Sequence, residues 1–489
     1  MNKNILNLVF GLSILLFTTT ACEKDWLDVT SNTQIRAEEQ FESEDGFRDA
    51  LIGVYIGMTE PELYSRDMTW NIVDLLSQQY SALPSLAVYD EVQRFDYENV
   101  RATQQIDKLW SNSYNVIANI NLALEFIENT DVLNPIDYSI IKGELLALRV
   151  FLHFDLIRLY GYGNLENRNL SGVFAIPYVT AFDKGVTAQL SYSDTFNLME
   201  ADLAEALNLL REDPIFPSAN RPDNYYTEVN RDGFYNNREL RMNYFAAKAL
   251  QARLYMWQGG DKINLASNAA REVIETGPFN LINSENYSVS SDPLLYPEVI
   301  FSLDVTAFAD IVNRFTDASS GTNYDALYYA PSTAGNLFET ENVNIGLADI
   351  RYNTLLTSQT RGLVSTKLRQ TSGRSHPNKM PLIKLPEMYY IVAEGHLKNN
   401  QKQEAISILN IVRESRGILE EIPMELELEE VEEELTKEYR KEFLMEGQLF
   451  FYYKRNGFTS IPGLSETLVV DDAIYVLPYP DNEVEFGNR

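Results

Sequence analysis

The chain has one cysteine, Cys22, which follows an apolar run and the small residues Thr19, Thr20 and Ala21. With Lys3 ahead of the run, this is the layout of a secretory signal with a small-residue cleavage site, and it puts a thiol at the first mature position. The run from Ile5 to Phe17 holds 13 residues, short of the roughly 20 that a helix needs to cross a bilayer. A single thiol excludes an internal disulfide. The three histidines, His153, His376 and His396, are too scattered for a zinc motif. No HExxH, P-loop, GxSxG or EF-hand pattern occurs, and Gly161-Tyr162-Gly163 lacks the third glycine of a dinucleotide loop. The residues therefore specify no cofactor and no metal. Glycoside hydrolysis would need two carboxylates about 5 to 10 Å apart across a cleft. Among 71 acidic side chains no motif singles out such a pair.

The signal resembles that of a bacterial lipoprotein, in which the cysteine sulfur takes a diacylglyceryl group and the mature end further acyl chains such as palmitate. Thr19 stands where Leu or Val is usual, and a plain secretory signal with an incidental cysteine is the competing reading. Glu23, Asp25 and Asp28 then put negative charge just beyond the anchor, as in surface-export tags of Bacteroidetes. The formal net charge of −31 disfavours nucleic acid and anionic headgroups as partners. Tyrosine and phenylalanine, at 29 and 24 copies against 4 tryptophans, are the compositional excess.

Helical periodicity must position these residues. It predicts helices over Gln40–Tyr55, Leu109–Thr130 and Lys142–Tyr160, the last with a leucine stripe and ended by Gly161 and Gly163. A further helix is predicted over Asp194–Glu212 behind Ser193 as N-cap. Two hairpins follow, Met242–Gln258 with Asn264–Thr276, and Leu385–Lys398 with Gln403–Arg416. Ala252 and Ala393 occupy equivalent places in the two, and Ala266, Ala270 and Ala405 face inward on the second helices. Small residues there allow close helix approach, the packing logic of tetratricopeptide-like repeats that stack into a solenoid; two unrelated hairpins are the alternative. Two stretches lack helical period but are rich in aromatics. Residues 60–100 carry Tyr64, Trp70, Tyr80 and Tyr89, and residues 279–378 carry Tyr287, Tyr296, Tyr324, Tyr328 and Tyr329. The second should be irregular loops with short strands, and its aromatic content argues against disorder. The acidic run Glu420–Glu434 reads as a solvated segment and helix. Trp110, Trp257, His153 and His396 sit on helices and should be structural, and His376 in a loop should be exposed.

Several segments together resemble one family. They are "CEKDWLDVT" at the N-terminus, "GELLALRVFLHFDLIRLYGYGN" with "AIPYVT", "YSDTFNLMEADLAEAL", and "AAKALQARLYMWQGG". The C-terminal third adds "LPEMYYIVAEGHLKNNQKQEAISILNIVRESRGI", "EYRKEFLMEGQLFFYYKRNG" and "LPYPDNEVEF". Their order over the mature chain resembles the SusD/RagB family of Bacteroidetes outer-membrane lipoproteins. The family usually has Arg and Asp where this chain has Leu449 and Tyr452, three apart on one helical face. Losing both leaves no unpaired charge, so a repacked structural contact is expected. Tyr162-Gly163-Asn164-Leu165 departs from the family loop as well.

The resemblance implies an all-α, mostly helical fold: a tetratricopeptide-like superhelix with long irregular insertions forming a ligand-binding cap. It implies a signal peptide at 1–21 and a SusD-like domain at 22–489, with an N-terminal part over about 22–240 and a C-terminal part over about 241–489 that holds the insertion 279–378. The implied function is a non-enzymatic, cell-surface glycan-binding lipoprotein, held on the outer membrane through Cys22. It would deliver oligo- or polysaccharide to a SusC-like TonB-dependent transporter. Oligopeptide uptake of the RagB type is the alternative, and a lipid-anchored repeat scaffold without ligand is a third reading. Sugars need an aromatic face to stack on and paired polar groups for their hydroxyls. In the family the ligand face is built from an early loop and one between the repeats. That points to Trp70, Tyr80, Tyr89, Tyr296, Tyr324, Tyr328 and Tyr329, with Asn71, Asn323 and Asp325 as the polar groups beside them.

Overall fold

The computed structural model describes residues 37–219, 221–464 and 468–487. The expected signal peptide, Cys22 and the acidic segment behind it lie outside the described residues. The chain divides into two compact units, Met1–Phe47 and Arg48–Arg489. In the first, the rings of Phe41 and Phe47 pack with centroids 4.8 Å apart. Helix α1 (Glu44–Met58) leads into the second, which holds the remaining elements.

Helix α2 (Val100–Ile127) starts nine residues before the periodicity begins, because Asn99 caps it and its first turns bury only Ala102 and Ile106. Helix α3 (Pro135–Tyr160) likewise starts early. The Asn134 side chain accepts from the backbone of Ile136 and Asp137, and Pro135 takes the first helical position, where its missing N–H costs nothing. The expected leucine stripe on α3 is too narrow a description: the helix is buried on all faces from Ile140 to Tyr160. Its charged residues survive burial because each is paired. Glu144 meets Tyr55 and Arg238, Arg149 meets Asp202, and Asp155 meets Tyr64 and Arg158. At its end the Lys454 amine donates to the carbonyls of Arg158 and Leu159 at 2.6 and 3.1 Å, satisfying two carbonyls that the helix end leaves without intrahelical partners. Helix α4 (Tyr192–Leu209) is capped by Ser191, two residues before the expected Ser193, since it is Ser191 Oγ that accepts from the Asp194 N–H.

The hairpins form as α5 (Tyr244–Gln258) with α6 (Ile263–Thr276) and α7 (Leu385–Lys398) with α8 (Lys402–Ser415). Helix α6 packs on both α5 and α7, and α7 on α8, so the hairpins stack. Ala252, Ala266, Ala270, Ala393 and Ala405 are all fully buried between them. Helix α9 (Leu428–Glu442) takes up the second half of the acidic run, and α10 (Leu449–Asn456) lies against it. At the two positions where the family resemblance departs, the contact is apolar and aromatic. Leu449 is fully buried, and Tyr452 stacks on Tyr439 at 4.0 Å and hydrogen-bonds Thr436.

Among the described residues, three small antiparallel sheets accompany the helices: β1 (Phe174–Pro177) with β2 (Gln189–Ser191), β3 (Val299–Asp304) with β6 (Lys379–Lys384), and β4 (Leu356–Ser358) with β5 (Leu363–Ser365). The β3–β6 pair, from Val299↔Lys384 to Asp304↔Lys379, clasps the two ends of the long insertion, and β6 runs straight into α7.

Behind this clasp lies a lattice of buried charge. Arg416 makes two 2.7 Å bonds to the Glu298 carboxylate and reaches Glu442 at 2.9 and 3.0 Å. Arg351 joins Glu442 to Asp349 and Glu438; Lys384 lies 3.5–3.7 Å from Glu298, Glu442 and Glu446. Lys367 pairs with Glu446. Glu298, Asp349, Arg351 and Lys367 come from the insertion, whereas Arg416, Glu438 and Glu442 come from the helices. The lattice therefore ties the insertion to the repeats.

Candidate functional site

The two aromatic loop regions meet in space. The Ser81 N–H donates to the Tyr328 carbonyl at 2.8 Å, and the Val88 N–H donates to Asp325 Oδ1 at 2.8 Å. Phe315 packs edge-on against Trp70, with centroids 5.2 Å apart, and also meets Tyr89; Tyr80 packs on Tyr329 at 5.1 Å.

Five of the expected ligand residues lie beneath the surface, which corrects their assignment. Trp70 is fully buried, with its indole N–H bonded to the Ser65 carbonyl at 2.8 Å. Asn71 is fully buried and donates to Asp67. Tyr80, Tyr89 and Tyr329 are buried as well. The four rings fill the joint between the loops and leave no face for a sugar, and Asn71 is buried beneath them with its amide turned to Asp67. Tyr80 also donates to Asp74 Oδ2, and Asp74 accepts from the backbone of Met445 and Gly447. Burial still raises the Asp74 carboxyl to about 7 against those bonds. Tyr296 lies elsewhere. His376 stacks on its ring at 3.7 Å, nearly parallel, and its hydroxyl donates to Glu239. One ring face is thus occupied, and His376 is half-buried instead of exposed. His153 is a structural histidine: it accepts from the Val179 N–H, and burial pushes it down to about 3, so it is neutral.

The remaining candidates reach the surface together. Tyr324 is 38% exposed, and Tyr328 is half-buried over a small core of Ala318, Ala326 and Val364. Asn323 Nδ2 donates to the carbonyls of Arg314 and Asp317, which fixes the loop; Asp325 is held by Val88 and Arg314. Leu86 and Val88 add exposed apolar surface from the early loop. One residue was missed by sequence. Arg361, in the turn between β4 and β5, lays its guanidinium 4.6 Å from the Tyr328 ring centroid and donates to the Asn323 carbonyl and the Tyr328 hydroxyl. No local pattern announces it, because it arrives through the Tyr329↔Leu363 bridge. A Cβ on Gly362 beside it would sit 2.4 Å from the Tyr329 carbonyl oxygen, so glycine lets the two strands close.

This arrangement is an open stacking surface with fixed polar groups. Among the described residues no group of three or more His, Cys, Asp or Glu side chains is placed to hold a metal ion, and no helix is long and apolar enough to cross a membrane. Two grooves of about 510 Å³ each lie outside the aromatic surface. One is lined by Glu394, Glu432, Tyr452 and Phe458, the other by Asn121, Arg149, Phe182 and Asp202. Their central charges are already paired, Glu394 with Arg455 and Arg149 with Asp202. Neither groove contains a residue of the loop surface.

Comparison with known proteins fits these features. Residues 25–224 match the SusD-like family described as "Starch-binding associating with outer membrane", and residues 313–485 match the SusD family. SusD-like protein P25 of Formosa agariphila is 22% identical over 348 residues; the match covers 68% of this chain and 56% of that relative. The fold is similar to that of a SusD superfamily protein from Bacteroides thetaiotaomicron (TM-score 0.71, 21% identity, 91% of this chain and 98% of that one). It is also similar to a putative sugar binding protein from Bacteroides vulgatus (TM-score 0.70, 20% identity, 91% and 97%). A SusD-like carbohydrate binding protein from Bacteroides vulgatus gives a TM-score of 0.70 at 18% identity, with 91% and 97% covered. With both family models matched in order and the helical-repeat architecture shared, the chain belongs to the SusD/RagB family.

Proposed function

We propose that the protein is a glycan-binding lipoprotein of nutrient uptake, anchored through Cys22 after removal of residues 1–21 and displayed on the cell surface. It captures oligo- or polysaccharide on the Tyr324–Tyr328 surface and passes it to a SusC-like TonB-dependent transporter. It binds without cleaving. The observation that carries this reading is the convergence of the two aromatic loops on one exposed face, where Tyr324, Tyr328 and Arg361 stand together. Family membership supports nutrient binding in general, and the relatives named for sugar or carbohydrate binding support the glycan. Here Tyr324 and Tyr328 serve as the stacking residues, and Asn323 and Asp325 hold the loop that carries them.

The test is affinity electrophoresis of the full chain in detergent against a panel of polysaccharides and peptides, with Tyr324→Ala beside the wild type. Retardation by a polysaccharide, without product and reduced in the variant, is the expected result. Binding of peptides alone would replace the cargo by oligopeptide. Silence with every ligand would leave a scaffold for the transporter.

A further inference from the structure

Across the whole chain roughly one residue in seven is acidic, yet from Ile350 to Pro386 there is no carboxylate and there are seven cationic side chains. The structure accounts for five of them. Arg351, Lys367 and Lys384 belong to the buried lattice, and Lys379 pairs with Asp304. The Arg374 guanidinium is turned inward to the carbonyls of Thr366, Lys367 and Arg369. Arg361 and Arg369 remain, and both sit beside the 313–328 loop. Arg361 bonds the Asn323 carbonyl, while Gln370, next to Arg369, exchanges two hydrogen bonds with Asn313.

Among the described residues no carboxylate lies within ion-pair distance of Arg361. Its two recorded bonds go to neutral acceptors, which leaves three of its five N–H donors for a ligand. The nearby carboxylates of the loop already have partners: Asp325 accepts from Val88 and Arg314, and Asp317 accepts from the backbone and hydroxyl of Ser319. The guanidinium also lies against the ring of Tyr328, which holds the positive fork beside the loop that carries Tyr324.

We propose that the glycan taken by this surface is anionic, bearing carboxylate or sulfate groups, and that Arg361 is the residue that selects for it. This rests on the glycan-binding reading above. The net charge of −31 opposes a polyanion in general, so a preference for one must come from this local guanidinium.

The experiment measures binding of the full chain to four polymers: polygalacturonate, its carboxyl-reduced neutral counterpart, dextran sulfate and dextran. The expected result is at least tenfold tighter binding of one charged polymer than of its neutral partner, weakening as salt rises. Which pair shows the difference tells carboxylate from sulfate. Arg361→Gln should remove that preference and Arg361→Lys should keep part of it, with the circular dichroism spectrum of both variants matching that of the wild type. Equal affinity for charged and neutral partners, or equal loss of both in Arg361→Gln, overturns the anionic assignment and leaves glycan binding standing. Silence with all four while peptides bind overturns glycan binding itself.

Discussion

The long insertion is fastened at two places by opposite means, to the early loop by rings and to the helices by charges. At the aromatic joint, Trp70, Tyr80 and Tyr89 pack on Phe315 and Tyr329, ring against ring. At the clasp, Glu298, Arg351, Lys367 and Lys384 meet Arg416, Glu438 and Glu442 in a buried lattice. Apolar packing tolerates a partly open edge, and that edge is where Tyr324 and Tyr328 emerge. A charge lattice tolerates none, since each buried ion needs every partner in place. Burial strengthens the demand. It would raise the Glu438 carboxyl, but Arg351, Lys441 and Arg413 outweigh it and bring the group down to about 2. Fixing the base of the insertion rigidly is what frees its far edge to be a surface.

The largest test of this contrast is Arg416→Ala. It strands Glu298 and Glu442 without their main partner, and the loss of one member of a buried pair costs about 3–5 kcal/mol. The urea midpoint should fall accordingly. A change within about 0.5 kcal/mol would show the lattice to be dispensable.

The two fastenings should also answer pH differently. Glu438 has a folded value below its ordinary one, so its stabilisation is complete above about 4.5 and disappears as pH falls toward 2. Asp74, under the aromatic joint, is raised to about 7. Its contribution is complete below about 4 and is lost as pH rises to 7, at up to about 1.4 kcal/mol per pH unit. Urea midpoints from pH 4 to 8 should therefore fall less steeply toward neutrality in Asp74→Asn than in wild type. The slope is the readout, because an amide cannot accept every bond that Asp74 accepts and the variant starts lower. Parallel curves would remove Asp74 from the joint's pH response.

Gly362→Ala probes the seam between the two regions. Its Cβ would press on the Tyr329 carbonyl oxygen at 2.4 Å, and overpacking of that kind costs about 1–3 kcal/mol. If the seam positions Arg361 and Tyr328, ligand affinity should fall with stability. A stable variant with full binding would separate the site from the seam.

Sequence made the helices legible where their periodicity was strong, and α7 begins and ends where its pattern does. It was less clear where caps and polar first turns decide, as at Asn99 and Asn134. The repeat alanines could be read because close helix approach demands small side chains at fixed spacing. The buried lattice could not, since Glu298, Arg351 and Arg416 are brought together only by tertiary folding. The same limit explains the site. An aromatic in a long loop looks alike whether it fills a joint, as Trp70 does, or meets solvent, as Tyr324 does. Arg361 depends on a single bridge between distant segments.

The smallest effect on stability, and the sharpest test of the division of labour, is Tyr324→Ala. Its ring is 38% exposed and lies outside the joint that Trp70 and Tyr80 fill. A surface substitution of this kind should move stability by no more than about 0.5 kcal/mol. Binding should respond far more, because base–aromatic stacking measured elsewhere gives about 1–3 kcal/mol per platform and a sugar face meets a ring by similar contact. Trp70→Ala should show the reverse order, with a stability loss of about 3–5 kcal/mol from a deleted buried aromatic. If Tyr324→Ala unfolds the chain and leaves binding intact, the exposed edge is part of the fastening, and the ligand face lies on another surface of the cap.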